Sequence, residues 1–98
     1  MGLVAQLRWT DPHDGGKQSA PGIGRYSTVA RFSHETDEQW NRQAWSLVFD
    51  LGEIADSNRL QTGSVRFLSE HGPTDWLKPG ARFALYEGKR KVAEGVIV

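Results

Sequence analysis

The sequence predicts an all-β fold, a small closed six-stranded antiparallel β-barrel, with residues 1–98 forming a single domain. Three observations carry that expectation. Short apolar runs alternate with period 2, as strands do when one face lies on a core. Clusters of Gly, Pro, Asn and Asp separate the runs. The last stretch, Arg82 to Val98, reads as a β-hairpin that ends on Val96-Ile97-Val98. Unpaired, those branched residues would form an aggregation-prone edge, so the final strand is expected inside a sheet; closing the sheet removes every edge.

Taken in order, Leu3 to Trp9 is the first strand, with Leu3, Ala5, Leu7 and Trp9 on one face. Thr10 to Gly24 holds Asp11-Pro12, Asp14-Gly15-Gly16 and Pro21-Gly22, and is expected to be a long loop. Tyr26 to Phe32 is the second strand, with Tyr26, Thr28, Ala30 and Phe32 sharing a face. Ser33 to Arg42 is polar; Ser33 followed by Glu35-Thr36-Asp37-Glu38 fits one helical turn, but the segment reads better as a polar crossover loop. Ala44 to Leu51 is the clearest strand, with Trp45, Leu47, Phe49 and Leu51 inward. Gly52 to Gly63 is expected to be loop, Ser64 to Leu68 the fourth strand, and Glu70 to Gly80 turns. In the closing hairpin Phe83 and Leu85 face the core, Gly88 supplies the tight turn, and Gly95 marks a bulge or a close backbone approach.

Composition narrows the function classes. Twelve Lys plus Arg balance twelve Asp plus Glu, which argues against a generic nucleic-acid binder. The chain has no cysteine, so no disulfide or thiolate metal site exists, and a reducing, cytoplasmic location is expected. No apolar run reaches the roughly 18 residues of a membrane span, so no membrane partner is expected. The N-terminus lacks the basic and apolar regions of a signal peptide. No G-x-x-x-x-G-K-[ST] loop occurs, so no nucleotide is expected.

The closing hairpin also carries a resemblance. Arg82-Phe83-Ala84-Leu85-Tyr86-Glu87-Gly88 through Arg90, Val92, Gly95 and Val96 is similar to the C-terminal hairpin of the third domain of elongation factor Tu. Asp14-Gly15-Gly16-Lys17, Pro21, Gly24, Tyr26 and Phe32 resemble that family's glycine loop and the strand after it. The chain departs from the pattern at Ser27-Thr28-Val29 and at Lys89. The resemblance implies a six-stranded barrel that acts beside translation components, touching protein partners and the T-stem of aminoacyl-tRNA. The positions matching its RNA-contacting residues are Lys17 and Glu87 with Gly88.

Catalytic machinery is not legible. Asp11-Pro12-His13-Asp14 supplies proximity on a turn rather than converging ligands, and His34-Glu35 with Asp37-Glu38 lacks H-E-x-x-H spacing and reads as a solvated acidic loop. His71 reads as a surface turn residue. No enzyme activity and no cofactor or metal is therefore expected. Lys89-Arg90-Lys91 at the hairpin tip, with Lys17 and Arg25 nearby, is the local basic cluster; it suits an acidic partner or phosphate, or serves only as a solvated turn. Trp40, Trp76 and Tyr86 either lie outside the core as interface aromatics or plug the barrel ends. The expected function is a non-catalytic binding module for a protein partner linked to translation. The alternative is duplex-RNA binding through Lys17, Arg25, Glu87, Gly88, Lys89 and Arg90.

Overall fold

The computed structural model describes residues 3–10, 22–54 and 60–98. Six strands run along the chain: β1 (Leu3–Trp9), β2 (Gly24–Phe32), β3 (Trp45–Ile54), β4 (Leu60–Phe67), β5 (Arg82–Glu87) and β6 (Arg90–Ile97). They close into a barrel in the order β1-β4-β3-β2-β5-β6. Each neighbouring pair is antiparallel, and β6 seals the cylinder against β1, with Ala5 opposite Ile97 and Leu7 opposite Gly95. The final strand is therefore paired on both sides, as its apolar ending requires.

Alternation along each strand fills the interior. Leu7, Ala30, Leu47, Phe49, Leu85 and Val92 are fully buried, and each large one contributes roughly 1.5–3 kcal/mol by leaving water. Gly95 is a close approach: a Cβ there would lie 2.4 Å from the Phe83 ring and 2.8 Å from Leu7. The bulge lies instead at Val92, because Leu85 opposes Ala93 while Tyr86 opposes Lys91. Val92 and Ala93 both turn inward as a result. The bulge also reverses the parity of Lys91, which shares odd numbering with the inward Ala93 and Ile97 yet faces out.

The two ends are plugged differently. At one, the Trp9 indole donates to Gln61 Oε1 at 2.9 Å, and Gln61 Nε2 donates to the Gly52 carbonyl at 2.6 Å. At the other, Phe32 meets Phe67, Trp76 and Phe83, with ring centroids 5.4–6.0 Å apart.

Two expectations are corrected. The segment after β2 is not simply a crossover loop: α1 (Asp37–Arg42) is helical, started by a capping box in which Thr36 Oγ1 accepts from the Gln39 amide and Gln39 Oε1 accepts from the Thr36 amide. The cap is Thr36 rather than Ser33. Gly52 to Gly63 is not all loop either, since β3 continues to Ile54 and β4 begins at Leu60. Gln61 looks like a loop residue, but its amide bonds both Trp9 and Gly52 inside the barrel. Gly63 looks like a breaker, but a Cβ there would lie 2.3 Å from the Asp50 carbonyl oxygen, so the tight ladder requires glycine. Among the described residues, no helix is long and apolar enough to cross a membrane.

Candidate functional site

The strand register assembles a groove on the outer face of the barrel. Arg31 of β2 opposes Ala84 of β5, Ala84 opposes Glu94 of β6, and Glu94 opposes Arg8 of β1. These four residues form one row across four strands, each at the parity opposite to the core. Ala84 is the smallest of them and leaves a depression. The resulting cavity, about 410 Å³, is lined by Arg31, Glu35, Arg82, Tyr86, Lys91 and Glu94 around Ala84. A second hollow of about 260 Å³ continues it over β1, lined by Gln6, Arg8, Arg82 and Glu94. A third of about 580 Å³ lies toward the aromatic barrel end and is lined by His34, Trp76, Lys78 and Arg82. Arg82 borders all three.

One wall is built by α1. Among the described side chains none of α1 is fully buried, and Trp40 is its anchor. The Trp40 indole donates to the Ala30 carbonyl at 3.0 Å, and its ring packs on Tyr86 with centroids 5.1 Å apart. Arg31 lies over the Trp40 ring at 5.6 Å and pairs with Asp37 at 2.6 Å. Glu35 is buried, with Oε1 accepting the Phe32 amide at 2.9 Å. His34 packs edge-on against Trp76, with centroids 4.5 Å apart. The acidic segment is thus not uniformly solvated as expected: Asp37 and Glu38 are exposed, but Glu35 is committed to holding the β2 exit. Trp40 and Tyr86 lie outside the core and Trp76 plugs an end, so both expected roles occur, on different residues.

The other wall is cationic. Lys91 Nζ bonds Glu94 at 2.5 Å. That bond and the Lys91 charge hold the Glu94 carboxyl below its usual value, with Arg8 and Arg82 adding smaller pulls. Among the described residues, Arg8 and Arg82 themselves are exposed and make no ion pair. Two guanidiniums therefore face solvent around a carboxylate that is already paired.

The sequence-predicted residues come together only in part. Glu87, Gly88, Lys89 and Arg90 form the β5–β6 turn, where Gly88 has φ 65°. Glu87 accepts from the Tyr26 hydroxyl and lies 3.9 Å from Arg90. Burial raises the Tyr26 pKa well above its ordinary value, and the hydrogen bond and charge of Glu87 add to the rise. Lys89 is exposed. Arg25 lies near the start of β2, opposite Asp50 of β3, outside the stretch Val29 to Phe32 along which β2 pairs with β5. Lys17 and the Asp11–Asp14 cluster fall outside the described residues. Among the described residues, no three of His, Asp and Glu converge in a way that would hold a metal ion.

Arg8, Arg31 and Arg82 were not singled out by the sequence. Each precedes an inward residue (Trp9, Phe32, Phe83), so outward parity was readable, but their adjacency depends on which strands are neighbours. Comparison with protein-family models, with curated proteins and with solved structures gives no match.

Proposed function

We infer that this barrel is a non-catalytic binding module whose contact surface for a protein partner is the outer groove over Ala84. The observation that carries this reading is the composition of the groove: an arginine stacked on tryptophan, a tyrosine beside it and two guanidiniums without an ion pair among the described residues around a small-residue floor. Trp, Tyr and Arg are the residues that dominate binding energy at protein interfaces. Closure of the barrel supports the same reading, because a partner cannot add a strand to a sheet that has no edge and must be recognised by side chains. The resemblance to the third domain of elongation factor Tu suggests that the partner belongs to translation.

Immobilised barrel tests this at physiological salt. Ala84→Trp fills the groove from the outer face and is expected to lose the proteins that the parent chain retains, while Lys89→Ala keeps them. Retention by Ala84→Trp rejects the groove; identification of retained proteins without translation components rejects that link alone. A second reading is carried by the exposed Lys89 beside Gly88, a cation next to a bare peptide group that suits a phosphate of duplex RNA. It requires affinity that falls steeply with salt and drops in Lys89→Ala/Arg90→Ala; a flat salt response removes it.

A further inference from the structure

We propose that the outer groove takes an extended acidic segment of another protein, with its carboxylates held by Arg8 and Arg82 and its backbone lying over Ala84. This deepens the binding-module reading and rests on it, naming the chemistry of the partner.

Charge complementarity carries the proposal. The two continuous hollows are lined by four cations, Arg8, Arg31, Arg82 and Lys91, against the carboxylates of Glu35 and Glu94. Glu35 is turned inward on the Phe32 amide, and Glu94 is answered by Lys91. Arg31 is answered by Asp37. What is left over is Arg8 and Arg82, both exposed, on the two strands that flank β6. A guanidinium offers a planar fork that matches a carboxylate with two parallel hydrogen bonds. Arg82 borders both hollows, so a chain crossing from β5 to β1 passes it and then Arg8.

The same features disfavour nucleic acid at this face. Duplex binding typically draws on about six to ten phosphate contacts, and among the described residues this groove has two uncommitted cations. The aromatic faces that would stack bases are taken, because Trp40 packs on Tyr86 and lies under Arg31. A short acidic peptide needs only a pair of carboxylates spaced along an extended backbone.

Fluorescence anisotropy decides between these ligands, with a labelled peptide of alternating Glu and Ala, its Gln-Ala counterpart, and a labelled duplex RNA as probes. The Glu-Ala peptide is expected to bind, with affinity falling about tenfold in Arg8→Ala/Arg82→Ala and unchanged in Lys89→Ala. Arg82→Gln, which keeps a polar but shorter side chain and removes the charge, is expected to account for several-fold of that loss. Equal binding of the Gln-Ala peptide, or Glu-Ala affinity indifferent to the arginines, overturns the proposal. RNA binding that depends on Arg8 and Arg82, without peptide binding, overturns it in favour of nucleic acid. If the peptide fails while Ala84→Trp still abolishes protein retention, the acidic ligand alone is wrong; if retention also ignores Ala84→Trp, the groove itself is wrong.

Discussion

At the β5–β6 turn, Glu87 is held between the Tyr26 hydroxyl and Arg90, so Arg90 is answered within the turn and Lys89 is the cation left exposed there. Some residues away on the outer face of β1, β6 and β5, Arg8 and Arg82 stand near Glu94 with no ion pair of their own among the described residues. Both regions are basic in sequence, and they differ in what is left for another molecule. The turn concentrates its cations in consecutive residues, where an i,i+3 partner reaches Arg90. The groove gathers its cations from different strands, and of its two carboxylates Glu94 has been claimed by Lys91 and Glu35 by the Phe32 amide. Local density of charge and availability of charge are therefore separate properties. Surface pairs contribute little to stability, so the difference is to be sought in binding and in pH response.

Substitutions beneath and beside the groove give the largest expected effects. Gly95→Ala puts a methyl group into the Phe83 ring and against Leu7. Phe83 has no room to retreat, since it packs on Phe32 and Phe49, so a loss of about 3 kcal/mol is expected in urea unfolding. A cost below about 1 kcal/mol would mean that the close approach is not real. Trp40→Ala removes the indole bond to Ala30, the contact with Tyr86 and the seat of Arg31. A cost of about 2 kcal/mol is expected, with α1 freed from the barrel and the groove losing a wall. The turn does not depend on that wall, so near-unchanged hydrogen exchange at Glu87 to Arg90 is expected; loosening of both regions together would break the distinction between them.

How much of this was readable beforehand depends on the range of the interaction involved. Strand faces were legible, because Leu47-Val48-Phe49-Asp50-Leu51 shows its inward parity with no knowledge of its neighbours. The close approach at Gly95 was foreseen as one of two options, and only the position of Phe83 across β5 and β6 decides between them. The helix was missed because its stability rests on a capping pair, Thr36 with Gln39, and on Trp40 reaching back to β2. The start of β4 was missed because Gln61 and Gly63 have loop chemistry until Trp9, Gly52 and Asp50 are placed around them. The groove was not legible at all. Arg8 and Arg82 are 74 positions apart in the chain and meet only through strand order, and Lys91 faces outward only because of the bulge at Val92.

The remaining predictions use pH to separate the two regions. Tyr26 has a folded pKa raised above its unfolded value of about 10, by burial first and then by Glu87. The neutral phenol is the form that the fold favours, so stability is fully present below that value and declines as pH rises beyond it. Tyr26→Phe is expected to cost about 1 kcal/mol at neutral pH through the lost bond to Glu87. It should also flatten the alkaline limb of a thermal-stability profile. An unchanged alkaline limb in this variant would remove Tyr26 as its cause.

Glu94 supplies the opposite limb and the smallest effect. Its folded pKa lies below the ordinary, unfolded value of a glutamate, chiefly through the bond to Lys91. The carboxylate is the favoured form, so its contribution is present above that unfolded value and is lost as pH falls through the lower folded one. The pair is exposed, and Glu94→Gln is expected to change stability by no more than about 0.5 kcal/mol at neutral pH. The informative result is in binding. Removing this carboxylate releases Lys91 and takes away the negative charge nearest to Arg8 and Arg82, so affinity for the acidic peptide should rise by several-fold, and salt should weaken it more steeply. Glu87→Gln at the turn makes the matching change in charge beside Arg90 and should leave peptide affinity where it was. If the two variants strengthen binding equally, long-range net charge governs the interaction and the groove has no special claim on it.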